Sequence, residues 1–408
     1  MMSSALHPLP DGNVGRRSWF IVGTLALTVF VTTSNGASLG AFLPQLAADL
    51  DTSVPVLGQI STAVFIVSAV VSLFTGPLAD HYGKRRMIAY GMALLAVSTF
   101  GTALAPSYGW FLLGRLFSAF SAGFIVGNTL ALTSTLYAGD DRRRALSWVT
   151  AGTASAPIAG VPLLALLASV SSWRVAYIAV AGVSLAVLAL LYRFVFDDGA
   201  RTHERFSTAT FFAAYQPLLA ARPMLWIFTA SALRATSWVC LLTYLGAFLD
   251  DTLGLGVREI GWAYMLGGAG YFAGTKLAGM QLGGLSLRVL YGVSTLAMGT
   301  LLALAFLLPP NGVQIALALV LAAGCSGVGW VMLVTLMSAE TPAGQASTMS
   351  LNAVFFAAGA ALGSFAGGGL LVLGGFAALG LGLFLFSAAS SLLLWPPVVA
   401  RQQVTGNR

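Results

Sequence analysis

Three cations stand inside otherwise apolar runs of this chain: Arg115, Arg234 and Lys276. Holding a cation at the centre of a bilayer costs about 2.5–3.5 kcal/mol on insertion scales unless it faces a wet cavity or a partner. The 13 carboxylates are Asp11, Asp49, Asp51, Asp80, Asp140, Asp141, Asp197, Asp198, Glu204, Asp250, Asp251, Glu259 and Glu340, and all lie in polar loops or at the ends of apolar runs. No acid in the apolar zone is on hand to pair the cations, and His7, His81 and His203 lie outside it too. The chemistry this pattern supports is recognition of negative charge. A guanidinium offers a planar donor fork, and an indole one helical turn away offers a face for a ring, as Trp238 does for Arg234. Arg234 lies about eleven residues into its run, about 17 Å deep at the helical rise, near the bilayer centre. A role in bonding helix-end carbonyls stays open beside binding for Arg234 and Arg115, and Lys276, close to the end of its run, is able to snorkel. Asn35, Asn128, Trp330 and Asn352, with Tyr271 and Phe355, lie at depths where they would complete a pocket; helix packing is the competing reading for each.

A second constellation is a charged turn between two apolar runs, Gly76-Pro77-Leu78-Ala79-Asp80-His81-Tyr82-Gly83-Lys84-Arg85-Arg86. Its glycines allow a sharp reversal, Asp80 can face a neighbouring helix end, and Lys84, Arg85 and Arg86 suit an anionic membrane surface.

The elements that position these residues follow from composition. With 58% hydrophobic residues, 8% charged residues and a mean hydropathy of +0.87, the chain cannot be packed into one water-soluble core of this size. At roughly 20 apolar residues per crossing, the chain divides into spans at 19–46, 54–79, 86–105, 107–138, 142–170, 174–196, 223–249, 257–282, 287–308, 313–339, 343–373 and 375–398. The last two nearly merge at Gly374-Gly375. The fold class expected is all-α integral membrane, twelve helices in two halves, 1–196 and 223–408. Between the halves, 197–222 is the one long polar interruption and reads as an amphipathic linker at the inner interface.

Of the 20 Lys and Arg, fifteen fall on one side of these spans, which places both termini in the cytoplasm and makes the net charge of +7 a topology signature. Dispersed over loops, they do not form a nucleic-acid surface. The first run is read as a retained anchor, too long for a cleaved leader. Cys240 and Cys325 both sit in spans and read as small hydrophobes.

The charged turn is similar to the loop after the second helix of major facilitator superfamily transporters, G-x-x-x-D-x-x-G-[RK]-x-[RK], matched by Gly76, Asp80, Gly83, Lys84 and Arg86. Gly152-Thr153-Ala154-Ser155-Ala156-Pro157-Ile158-Ala159-Gly160 resembles the antiporter pattern of that superfamily's proton-coupled drug exporters, with Ala156 in place of a glycine and Val161 where another glycine follows. Arg115 opens a stretch similar to the family's fourth-helix pattern, although Ala119 stands where glycine is usual. The resemblance covers nearly the whole chain. It implies alternating access, export of a small amphipathic compound coupled to protons, and gating at Gly76, Asp80, Gly83, Lys84, Arg85, Arg86 and Pro157. Against it stands the missing buried acid: the first span offers Thr32-Thr33-Ser34-Asn35, and an amide does not titrate. An organic-anion exchanger or uptake facilitator of the same fold is therefore the alternative. A monomer in the cytoplasmic inner membrane is expected, with a small-molecule substrate, no cofactor, no metal and no enzymatic constellation.

Overall fold

In hydrocarbon no water satisfies the peptide groups, so each crossing must bond its own backbone as a helix. The computed structural model describes residues 16–137, 139–195, 215–278, 286–309, 311–342 and 345–395, and every element in them is helical. In chain order these are α1 (Arg16–Asp49), α2 (Val54–Tyr82), α3 (Lys84–Ala103), α4 (Tyr108–Leu136), α5 (Gly139–Ser155), α6 (Val161–Val170), α7 (Trp173–Phe194), α8 (Gln216–Ala220), α9 (Arg222–Leu253), α10 (Val257–Ala278), α11 (Leu287–Leu307), α12 (Gly312–Glu340) and α13 (Gln345–Leu393). A π-turn, Ala156–Gly160, joins α5 to α6 without a break. Pro157 sits inside it; its ring has no N–H to donate and clashes with the carbonyl a turn back, which widens the turn.

Nine of the described helical runs are long and apolar enough to cross a membrane, the last of them 47 residues long. That length is about 70 Å at the helical rise, over twice the hydrocarbon thickness, so α13 must be two arms. They part at Gly374 and Gly375, the latter at φ 62, ψ −155, a backbone state confined to glycine. Counting α13 as two crossings and adding α3 and α10 takes the nine to twelve, a count that fits the fold. The expected linker lies outside the described residues up to position 214; its remainder is the short α8, which runs almost directly into α9.

Contacts divide the chain into two compact units, residues 1–38 with 67–206 and residues 39–66 with 207–408. In the first, α3 packs on α4 and α7, and α6 on α7, around Leu25, Met92, Leu95, Ile125, Leu132 and Val187. Ser and Thr hydroxyls along α1 return to their own helix, Thr28 to the Thr24 carbonyl at 2.8 Å and Thr32 to Thr28 at 2.8 Å. An added Cβ at Gly152 or Gly160 would overlap Ala26 or Ser34 of α1, so the partial antiporter pattern is a close-approach surface. In the second unit α9 packs on α13, α10 on α12, and α11 on both α12 and α13. Asn311 caps α12, its Oδ1 accepting from the Val313 and Gln314 amides at 3.0 and 3.3 Å.

Outward-facing side chains include Leu373 (84% exposed), Val170 (75%) and Val313 (71%), as expected of helices that face lipid.

Candidate substrate-binding site

Arg234 is placed by α9 twelve residues from its start and is 2% exposed. Its Nη2 donates to the Ser326 carbonyl at 2.6 Å and to Ser326 Oγ at 2.8 Å, both on α12. The guanidinium lies over Trp330 of the same helix, 5.6 Å from the ring centroid. The Tyr271 hydroxyl of α10 faces it as well. Nε is buried without a hydrogen-bond partner, as is the nearby Thr295 Oγ1 of α11. Among the described residues no carboxylate pairs with Arg234; Glu340 is paired elsewhere, with Arg288, at N–O distances of 2.7 Å. The result is a desolvated cation with an unused N–H and aromatic walls, which suits an anion carrying a ring.

Helical spacing sets Trp238 beside Arg234. The structure puts Trp330 against the guanidinium instead, while half-buried Trp238 stacks on Tyr271 at 5.8 Å. Spacing along one helix proposes neighbours, but a long side chain leaves its helix to reach the next one. Asn352 also joins the group: its Oδ1 accepts from Ser231 Oγ at 2.7 Å, one turn before Arg234. Lys276 does not. It is exposed, with its ammonium 5.4 Å from the ring of Phe272 one turn earlier, which is a snorkelling geometry.

The first unit holds a separate cluster. Arg115, also 2% exposed, donates through Nη1 to the carbonyl and Oδ1 of Asn35 at 3.1 and 3.3 Å, and through Nη2 to the Gly36 carbonyl at 3.4 Å. Tyr177 lies 5.8 Å beneath the guanidinium, and Ser38 Oγ bonds both the Asn35 carbonyl and the Tyr177 hydroxyl. Arg115 thus ties α4 to α1 through backbone carbonyls. Its Nε is unpartnered, as in Arg234. Asn128, by contrast, turns back to its own helix, bonding the Phe124 carbonyl at 2.9 Å.

At the charged turn, Gly83 has φ 94 and separates α2 from α3, a conformation only glycine adopts without strain. Arg85 Nη2 donates to the Tyr192 carbonyl at 3.0 Å and the guanidinium lies over that residue's ring at 5.1 Å, while Lys84 is buried. The side chains of Gly76 and Asp80 lie outside the described ones. Ser326, Thr295 and Tyr177 were missed in the sequence; the only signal was a polar residue inside an apolar span.

The sequence profile of the Major Facilitator Superfamily matches residues 25–286. The uncharacterized MFS-type transporter YceJ of Bacillus subtilis is 25% identical over 340 residues, 82% of this chain and 85% of its own. A chloramphenicol efflux pump of Mycobacterium tuberculosis is 28% identical over 167 residues, 41% of this chain and 40% of its own. Among solved structures, a bacterial homologue of the human lysosomal transporter Spinster, in an inward-facing, unoccupied conformation, superimposes with a TM-score of 0.73 at 17% identity, covering 94% of this chain and 95% of its own. At that identity the likeness speaks for the fold alone.

Proposed function

The chain belongs to the Major Facilitator Superfamily, and on that premise we propose that it exports a small amphipathic anion or zwitterion by alternating access, coupled to protons. That it is a multi-pass secondary transporter, and no enzyme, follows from the family. The preference for negative charge is carried by one observation: Arg234 is desolvated, has no acid partner among the described residues, and keeps Nε unbonded beside Trp330 and Tyr271. Asn352, Trp238 and Trp330 shape that site. Arg115 and Asn35 serve a second polar patch whose first task is holding α1 to α4. In this reading the halves 1–196 and 223–408, joined by 197–222, are the moving bodies, residues 39–66 going with the first half by span order although contacts group them with the second unit, and both termini lie on the cytoplasmic side of the inner membrane, where the basic loops point. The shared segment with a chloramphenicol efflux pump supports the outward direction.

The proton carrier has to be a span-end acid, Asp49, Asp51, Asp250, Asp251 or Glu340, or the substrate's own ionisable group. Of these acids Glu340 is held by Arg288 through both oxygens, which assigns it to structure and leaves the four aspartates as the carriers to test; Glu340→Gln is expected to loosen α11 from α12 and lower thermal stability by about 1 kcal/mol, with proton movement intact. In proteoliposomes, substrate-driven pH change should fall when one of the four aspartates is neutralised. Accumulation unchanged after collapse of the pH gradient and potential would replace proton coupling by anion exchange, the reading favoured by the missing buried acid.

Asp80→Asn is expected to slow turnover at least about fivefold while substrate affinity changes less than twofold, because a latch acts on the equilibrium between states and not on the site. Equal losses in both, measured by binding and by vesicle flux, would remove Asp80 from gating.

A further inference from the structure

A pocket of about 300 Å³ opens in the first unit, where the start of α1 meets the end of α4 and the first turns of α5, and its lining shares no residue with either arginine cluster. Its floor is apolar: Val22, Tyr137 and Ala145 are buried and form a small cluster of their own. Its rim is not. Trp19 and Trp148 stand half-exposed with their rings edge to face at 6.0 Å, and Asp141 and Arg144 complete the wall. Asp141 and Arg144 are three residues apart on α5, so they share a face. The guanidinium of Arg144 lies 5.2 Å from the centroid of the Trp19 ring. Among the described residues neither Asp141 nor Arg144 takes part in an ion pair. Arg142, by contrast, is turned to the Tyr137 carbonyl at 3.0 Å.

We infer that this pocket binds the headgroup of a zwitterionic phospholipid with a primary ammonium, the phosphate on Arg144 and the ammonium between Asp141 and the Trp19 and Trp148 rings. Among the described side chains the walls bring one cation and one anion, so their complement carries one of each. A guanidinium matches phosphate, and a carboxylate with indole faces matches an ammonium. The volume is at the small end for ligand sites, enough for a phosphate and a two-carbon amine arm and too small for acyl chains. Two exposed tryptophans at the ends of membrane helices mark the headgroup level, which puts the pocket where lipid phosphates already are. The bound molecule is therefore a lipid, its tails lying outside the pocket along the helices.

The test is native mass spectrometry of the purified full chain offered equal amounts of phosphatidylethanolamine, phosphatidylcholine and phosphatidylglycerol. Phosphatidylethanolamine is expected to be the lipid retained. Arg144→Gln should reduce its retention about tenfold, the loss of one charge-assisted contact, and Arg144→Lys should restore part of it. Asp141→Asn should erase the preference over phosphatidylglycerol while total lipid bound stays the same. Both positions are exposed, and unchanged melting of the variants in lipid-free detergent certifies their folding. Equal retention of the three lipids by the unaltered chain, or variants indistinguishable from it, would overturn the assignment. Displacement of the lipid by an equal concentration of soluble phosphoethanolamine would overturn a lipid ligand in favour of the free headgroup compound.

Discussion

Arg234→Ala is expected to weaken binding of an anionic substrate by at least about thirtyfold, since truncating one partner of a buried charge contact costs 2 kcal/mol or more and each 1.4 kcal/mol is a decade. Arg234→Lys should fall between, because an ammonium keeps the charge and loses the planar fork that holds Ser326 and presents Nε at once. The measurement is affinity for the anionic hit of a thermal-shift screen of charged and neutral amphiphiles, with flux in proteoliposomes beside it. Arg234 also joins α9 to α12, so melting of the unliganded variant has to be followed in parallel. A variant that melts early yet binds with unaltered affinity would reduce Arg234 to a helix clamp, and undiminished transport would end the anion-site reading.

The largest effect on the fold is expected along a glycine ridge in α13. Gly359, Gly363 and Gly367 recur every four residues, and an added Cβ at the first two would overlap the carbonyls of Ala232 and Thr236. At Gly367 it would lie 2.6 Å from Cys240 Sγ. Their partners on α9 repeat with the same period, so two ridges lie backbone to backbone. Hydroxyls stitch this seam, Thr236 Oγ1 donating to the Gly359 carbonyl at 3.0 Å and Tyr244 to the Ser364 carbonyl at 2.8 Å, while Ser237 ties α9 to the other arm of α13 through the Leu383 carbonyl at 3.0 Å. Between lipid-facing helices no hydrophobic force draws the elements together, so close packing and such bonds hold them. Gly363→Val should therefore cost about 1–3 kcal/mol as overpacking, and more if the hydroxyl bonds part with it. It should also lower the melting midpoint and the yield of folded protein. Gly182→Ala in α7, where nothing lies within 4 Å of the new Cβ, should be neutral or gain up to about 1 kcal/mol in helix propensity. Equal behaviour of the two variants would remove the ridge from the account.

Much of this protein was legible in the order of its residues. Hydropathy is a local sum, so the solvent, the helix positions and the break at Gly374-Gly375 could be read directly. The stranded cations could too, since a charge inside an apolar run conflicts with its neighbours in sequence. The close approach at Gly152 and Gly160 was visible as a run of small residues, though not the helix it approaches. What tertiary structure alone decided was partnership. Trp330, 96 positions after Arg234, lies against the guanidinium in place of the indole one turn away. Arg115 found the carbonyls of Asn35 and Gly36, which no side-chain pattern marks as acceptors. Lys276 stayed at the exposed surface because four methylenes let its charge leave the apolar zone, whereas the shared bonds of Arg234 fix it inside. Pairings of this kind are made between segments about a hundred residues apart, by shape and by the backbone groups each helix happens to present. They leave no periodic trace in the sequence of either helix.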